Sequence, residues 1–131
     1  MSVAWNGTRK RVLIVDDSAV IRAAVRSLLG ALPEIYVCGE AIDGSDGIAK
    51  AQALKPDLIV LDLYMPHMNG LEAAIALRKI FPGVLIVLFT LHGNLIRDGD
   101  AKNAGITSVL PKSNMAMLGS EVLRLLASAQ S

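Results

Sequence analysis

The chain has 131 residues, 53% of which are apolar, so it is long enough for one compact domain and too short for two of ordinary size. Its 13 basic and 12 acidic residues leave a net charge of +1 without a basic run, which argues against direct binding of nucleic acid. No apolar stretch predicts a membrane span or a secretory signal, and the single cysteine excludes an internal disulfide, so we expect a cytoplasmic protein that does not contact a membrane.

Five short apolar segments, bounded by Gly, Pro, Asp or Asn, predict β-strands. They lie at residues 11–15, 35–39, 57–61, 84–89 and 106–110. Three of them are continuous apolar runs, which are typical of strands buried on both faces of a parallel sheet. Helical patterns between the strands complete an α/β alternation with five helices on both faces of the sheet. We therefore predict one domain over residues 10–129, preceded by an irregular segment at residues 1–9.

The helical segments differ in the strength of their patterns. Apolar residues of the first share one face, Arg22 and Arg26 lie on another, and Gly30 is a stop signal. Gly44 and Gly47 are expected to shape the entry to the second helix and not to bind a ligand. The segment after the fourth strand is the least helical, because a glycine and nearby aspartates dilute a poor apolar face. The predicted helices with defined ends cover residues 18–30, 93–105 and 114–129.

Polar residues follow the predicted strands at the end where parallel sheets form binding sites. Asp16 and Asp17 follow the first strand, Asp62 the third and Lys112 the fifth, while Thr90 ends the fourth. In the flavodoxin-like strand order 2-1-3-4-5, the first and third strands are neighbours, so the three carboxylates would converge on a small cleft. Taken singly, each residue has an ordinary structural explanation, such as a helix cap or a solvated lysine. Their coincidence at one edge of the sheet favours a functional site.

Three close carboxylates need positive charge nearby, or some of them must bind protons. Mg²⁺ can supply that charge, because it prefers oxygen ligands, keeps several waters and combines carboxylates with phosphate oxygens. Lys112 and the Thr90 hydroxyl could contact further phosphoryl oxygens. With a carboxylate as nucleophile, these are the parts needed to handle a phosphoryl group. A Gly-rich phosphate loop is missing, so the sequence does not predict a Walker-type nucleotide site.

Four segments of the sequence resemble the receiver domain of two-component response regulators, over roughly residues 9–127. They are "VLIVDDS", "PDLIVLDLYMPHMNGLEA", the strand end at Thr90, and "AGITSVLPK". Pro66 and Gly70, in the loop after Asp62, belong to the same pattern. The resemblance implies a CheY-like, five-stranded parallel sheet and a place in a phosphorelay.

The resemblance also implies a role for each residue of the predicted site. Asp62 would be the phosphoacceptor, and Lys112 and Thr90 would hold the phosphoryl group once it is attached. The implied Mg²⁺ ligands are Asp16, mainly through water, Asp17, Asp62 and the backbone carbonyl of Tyr64.

Three positions depart from the usual receiver pattern. Val109 stands where most receivers have Tyr or Phe, and Leu91 stands where a small residue usually follows the threonine. Pro111 precedes Lys112, whereas family members often carry proline after the lysine. This last feature and the segment "TLH" resemble receivers attached to helix-turn-helix regulators of the NarL/FixJ type. The site residues are retained, but the usual route from phosphate to output is altered.

The resemblance implies a signalling module and not a metabolic enzyme. A sensor histidine kinase or phosphotransfer protein would donate the phosphoryl group to Asp62, and the affinity for an output partner would then change. The chain could be the receiver part of a longer transcriptional regulator, and a homodimer is also open. One alternative is a small Mg²⁺-dependent phosphatase, although the haloacid-dehalogenase type of acid pair would need Asp in place of Tyr64. The other is a phosphorylation-independent scaffold, which Val109 makes plausible.

Overall fold

A five-stranded, fully parallel sheet with strand order β2-β1-β3-β4-β5 forms the centre of the protein, as the sequence predicts. The computed structural model describes residues 8–91 and 96–129, so most of the predicted irregular segment lies outside the described residues. The strands are β1 (Lys10–Val15), β2 (Ile35–Ala41), β3 (Leu58–Leu61), β4 (Leu85–Thr90) and β5 (Ser108–Pro111). All five lie within two residues of their predicted bounds.

Helices cover both faces of the sheet because the central strands alternate buried side chains between two cores. One core packs β1, β3 and β4 against the first and fifth helices, and the other packs the opposite faces of these strands against the second and third. The helices are α1 (Ala19–Gly30), α2 (Gly44–Leu54), α3 (Gly70–Ile80), α4 (Asp98–Asn103) and α5 (Met115–Ala129), and a single 3₁₀ turn (Lys112–Asn114) precedes α5.

Side-chain caps place the starts of three helices. The Ser18 hydroxyl accepts a hydrogen bond from the backbone of Ile21 at the start of α1, and Asp43 caps α2 in the same way. Asn69 and Glu72 form a capping box at α3, each side chain accepting from the other's backbone N–H. Because each cap lies in a loop at the carboxyl end of a strand, the caps also order the loops around the predicted site.

The prediction for the fourth helix was wrong in length. The predicted range was 93–105, but α4 spans only Asp98–Asn103, and residues 93–95 lie outside the described residues. At its carboxyl end, Gly105 has a φ of +81°, a left-handed conformation that ends the helix. No helix in the described part of the chain is long and apolar enough to cross a membrane.

Candidate functional site

The backbone brings the ends of β1 and β3 together at the carboxyl edge of the sheet. Val15 and Leu61, the last residues of the two strands, are paired in register. The Asp62 N–H donates to the carbonyl of Val15 at 3.0 Å, which extends the ladder by one residue beyond the strands. Asp16 and Asp62 are therefore adjacent because of strand pairing, before any side-chain interaction is considered.

The three predicted carboxylates do converge. Carboxylate oxygens of Asp16, Asp17 and Asp62 all lie within 4.8 Å of one another. Asp16 and Asp62 are buried, whereas Asp17 is exposed at the mouth of the cluster. Carboxylate oxygens are the ligands that a hard divalent cation prefers, and the exposed side leaves room for water ligands. The donor set of this structure thus fits Mg²⁺.

Lys112 supplies the positive charge of the site. Its ammonium nitrogen lies 2.8 Å from a carboxylate oxygen of Asp16 and 3.4 Å from one of Asp62, and its side chain is only 7% exposed. The 3₁₀ turn after β5 carries this side chain over the ends of β1 and β3. A buried ammonium needs such partners, because an unpaired charge would carry a large desolvation cost.

The pKa of the Asp62 carboxyl group is raised above its ordinary value. Burial is the main cause, and the negative charge of Asp16 adds to it. Lys112 and a hydrogen bond from the backbone of Leu63, at 2.9 Å, act in the opposite direction. Ionised Asp62 is therefore less favourable in the folded protein than in water, and further positive charge at this edge of the sheet would stabilise the ionised form.

The remaining predicted residues lie around the same cleft. A cavity of about 270 Å³ lies at this edge, and the residues that line it are Asp17, Ser18, Ile21, Asp62, Tyr64, Leu91 and Lys112. Thr90 ends β4, is fully buried and pairs with Pro111, the residue before Lys112. The roles of Thr90 and of the Tyr64 carbonyl stay predictions.

The loop after Asp62 is held close to the site by its glycine. The Gly70 N–H donates to the carbonyl of Leu63 at 2.7 Å, and a Cβ at position 70 would collide with the Asp62 carbonyl and lie 2.9 Å from the Cα of Leu63. His67 is exposed and has a left-handed φ of +70° within this loop, a conformation that is uncommon for residues other than glycine. His92 lies outside the described residues.

One residue that contacts the site, Arg22, was not predicted from the sequence to do so. Arg22 was placed on the polar face of α1, but its guanidinium donates to the backbone carbonyl of Asp16 at 2.7 Å and to Glu40 at 3.0 Å. Its position one turn after the Ser18 cap was a signal that it could reach back to the end of β1. A Cβ at Gly47 would lie 3.1 Å from the Val15 side chain, so this glycine lets α2 pack closely on β1.

The chain belongs to the family described as "Response regulator receiver domain", whose model matches residues 12–122. It is 42% identical, over 110 residues, to protein-glutamate methylesterase/protein-glutamine glutaminase 1 of Geobacter sulfurreducens, a match that covers 82% of this chain and 30% of the relative. It is 38% identical to the response regulator protein VraR of Staphylococcus aureus, over 81% of this chain and 51% of VraR. The chain thus spans about a third to a half of the length of these relatives.

Solved structures agree with this assignment. A two-component response regulator of the LuxR family from Aurantimonas superposes with a TM-score of 0.84 at 28% identity, covering 92% of this chain and 87% of that one. This neighbour bears out the predicted likeness to NarL/FixJ-type receivers. The protein is a receiver of two-component signalling with the CheY-like fold.

Proposed function

We propose that this receiver accepts a phosphoryl group on Asp62 and uses Mg²⁺ held by Asp16, Asp17 and Asp62. The observation that carries the proposal is the convergence of three carboxylates and a buried ammonium at the end of β3. The backbone carbonyl of Tyr64 is the fourth proposed metal ligand. When bound, Mg²⁺ would offset negative charge on the carboxylates and on the incoming phosphoryl oxygens.

The proposed transfer is a displacement at phosphorus. A carboxylate oxygen of Asp62 forms the new P–O bond, and the bond from phosphorus to the donor, such as the P–N bond of a phosphohistidine, breaks with its electron pair going to the donor. Lys112 lies 3.4 Å from Asp62 and is placed to meet a phosphoryl oxygen. The Thr90 hydroxyl, at the end of the neighbouring strand, would bind another.

The proposed donor is a sensor histidine kinase or a phosphotransfer protein, and the proposed result is altered binding of an output protein or domain. Membership of the receiver family fits a signalling module that is not itself a metabolic enzyme. The methylesterase activity named for the Geobacter relative belongs to a protein of which this chain covers 30%. Cytoplasmic location stays a prediction.

Intact-mass analysis after treatment with acetyl phosphate and Mg²⁺ tests the proposal. We expect one phosphoryl adduct in the wild-type chain and in Asp100→Asn, which removes an exposed carboxylate in α4. Asp62→Asn should remove the adduct. An adduct of unchanged yield in Asp62→Asn would place the acceptor elsewhere, and an unmodified wild-type chain would favour the scaffold alternative.

The scaffold alternative rests on the surface around β5. Val109 is 38% exposed and Leu91 is 69% exposed, so neither fills space beside Thr90 as an inward-turned aromatic ring would. We expect phosphorylation to have only a weak effect on residues 93–113. The double substitution Val109→Tyr with Leu91→Ala should enlarge the phosphate-dependent NMR shifts of these residues. A coupling near 1 kcal/mol would change partner affinity by only about fivefold. Equal partner affinity with and without phosphate, in both proteins, would support the scaffold.

A further inference from the structure

The two proposed metal ligands after β1 lie on a short connection without regular structure. β1 ends at Val15 and α1 begins at Ala19, so Asp16 and Asp17 belong to neither element. One side of this connection is fixed by the sheet, because the Asp16 N–H donates to the carbonyl of Ala41 on β2 at 3.0 Å. The Asp16 carboxylate is fixed separately, by the N–H of Ser18 at 2.9 Å.

Arg22 fixes the other side of the connection. Its backbone N–H donates to the carbonyl of Ser18 at 3.0 Å, and its guanidinium donates to the carbonyl of Asp16 at 2.7 Å. The same guanidinium donates to Glu40 at 3.0 Å, which sits next to the end of β2. The Arg22 side chain is only 16% exposed, so water competes little for these contacts.

We infer that Arg22 is a positioning residue for the proposed Mg²⁺ site, acting through the backbone of Asp16 on the carboxylates of Asp16 and Asp17; this inference rests on the proposed function. A planar guanidinium can bond a backbone carbonyl and a carboxylate at once, which a lysine ammonium does with far poorer geometry. Groups that orient metal ligands commonly change metal affinity strongly without touching the metal.

Arg26 provides a matched control on the same helix. It also pairs with Glu40, and its side chain is 48% exposed, but no contact joins it to Asp16 among those seen in the described residues. Replacing either arginine by methionine removes one positive charge and one partner of Glu40. Only the Arg22 variant also removes the hydrogen bond to the Asp16 carbonyl.

The loss of charge and the loss of positioning predict opposite changes in Mg²⁺ affinity for Arg22→Met. By Coulomb's law, removal of a positive charge near a cation site should tighten Mg²⁺ binding. If Arg22 positions the ligands, its removal should weaken Mg²⁺ binding despite the lost charge. Arg22→Lys keeps the charge and loses the two-pronged contact, so it should weaken binding as well.

Titration of the full chain with MgCl₂, followed by the NMR shifts of residues 16, 17 and 62, tests the inference. We expect Arg22→Met and Arg22→Lys to raise the dissociation constant about tenfold, in the range typical for groups that orient metal ligands. Arg26→Met should stay within about twofold of wild type, as expected for an exposed charge one turn away. In metal-free protein, the carbonyl-carbon shift of Asp16 and the amide-nitrogen shift of Asp17 should move in the Arg22 variants only.

Phosphorylation rates separate positioning from general damage. With acetyl phosphate, Arg22→Lys should need more Mg²⁺ to reach half its maximal rate, while the maximal rate stays near that of wild type. Unchanged Mg²⁺ affinity in both Arg22 variants, or an equal loss in Arg26→Met, would overturn the inference. If Arg22→Met does not fold, Arg22→Lys decides alone. A wild-type chain that shows no Mg²⁺ response would instead overturn the proposed metal site, and this inference with it.

Discussion

The two flanks of the site are built differently. On one flank, β1 and β3 are central strands, and the last four residues of β1 and all four residues of β3 are buried. On the other flank, β5 alternates between half-buried and exposed residues, and α4 has only six residues. The carboxylates therefore stand on the rigid flank, while Lys112 reaches them from the more loosely packed one. A shift of β5 could change the charge around Asp62 without moving the carboxylates.

A methyl group added beside the end of β3 should give the largest change in the free energy of unfolding. Gly70→Ala places a Cβ against the Asp62 carbonyl and the Leu63 Cα, both backbone atoms that cannot rotate away. We expect a loss of about 3 kcal/mol in the free energy of unfolding, as for a severe overpacking change. Urea denaturation measures it. A loss below about 0.5 kcal/mol, the usual size for surface changes, would mean that this flank is not rigid.

Removal of the buried charge of Asp62 should give the next largest change in the free energy of unfolding. Because the pKa of Asp62 is raised in the folded protein, the folded state binds this proton more tightly than the unfolded state does. Stability therefore falls as pH rises from the ordinary pKa of 3.8 through the raised pKa of the folded state. Asp62→Asn should therefore stabilise the metal-free protein at neutral pH. The difference from wild type should shrink as pH falls towards the ordinary value of 3.8.

Denaturation in EDTA at several pH values, with Asp100→Asn as control, checks this prediction. A pH-independent difference between Asp62→Asn and wild type would contradict it. Mg²⁺ should stabilise the wild-type protein and have less effect on Asp62→Asn, because a ligand stabilises only the state that binds it.

On the more loosely packed flank, a hydrogen bond between Ser108 and Glu121 links β5 to α5. The Glu121 carboxylate accepts hydrogen bonds from Ser108 of β5 and from Arg124, and Arg124 chiefly lowers the pKa of Glu121 to about 2. Glu121→Gln should cost about 1 kcal/mol or less at neutral pH, since Arg124 is exposed to solvent. This stabilisation is present above the ordinary pKa of 4.5 and is lost as pH falls from there towards 2. Equal losses at pH 7 and at low pH would contradict this account.

The smallest predicted change in the free energy of unfolding is a gain in stability, from a substitution in α4. Gly99 lies in α4, and a Cβ built there meets no atom within 4 Å. Gly99→Ala should stabilise the protein by about 0.5 kcal/mol, because alanine loses less conformational freedom in a helix than glycine. Thermal unfolding beside Gly70→Ala gives the comparison directly. A destabilised Gly99→Ala would show that α4 packs more tightly than its open surface indicates.

The same division explains what could be predicted from the sequence. Continuous apolar runs make up most of β1, β3 and β4, so the place of these strands in a buried parallel sheet follows from the sequence pattern. The convergence of Asp16 and Asp62 then follows from the strand order. The bounds of α4 depend on weak local preferences, and its predicted length was wrong. The contact of Lys112 with two carboxylates leaves no periodic signal, because it joins elements that are far apart in the chain. The bond of Arg22 to Asp16 is local, and its only signal in the sequence is the position of Arg22 one turn after Ser18.

The contacts of Lys112 with Asp16 and Asp62 set the charge balance of the site, and this balance affects how tightly an ion is held. With three ionised carboxylates and one ammonium, the cluster keeps an excess of two negative charges, which a single divalent ion would cancel. Phosphorylation of Asp62, which converts its carboxylate to an acyl phosphate, would replace one unit of negative charge with about 1.5 to 2 units. The phosphorylated cluster would then be negative again even with its ion in place, so it should retain that ion more tightly than the unmodified protein does. By reciprocity, dilution of the ion should favour the unphosphorylated form.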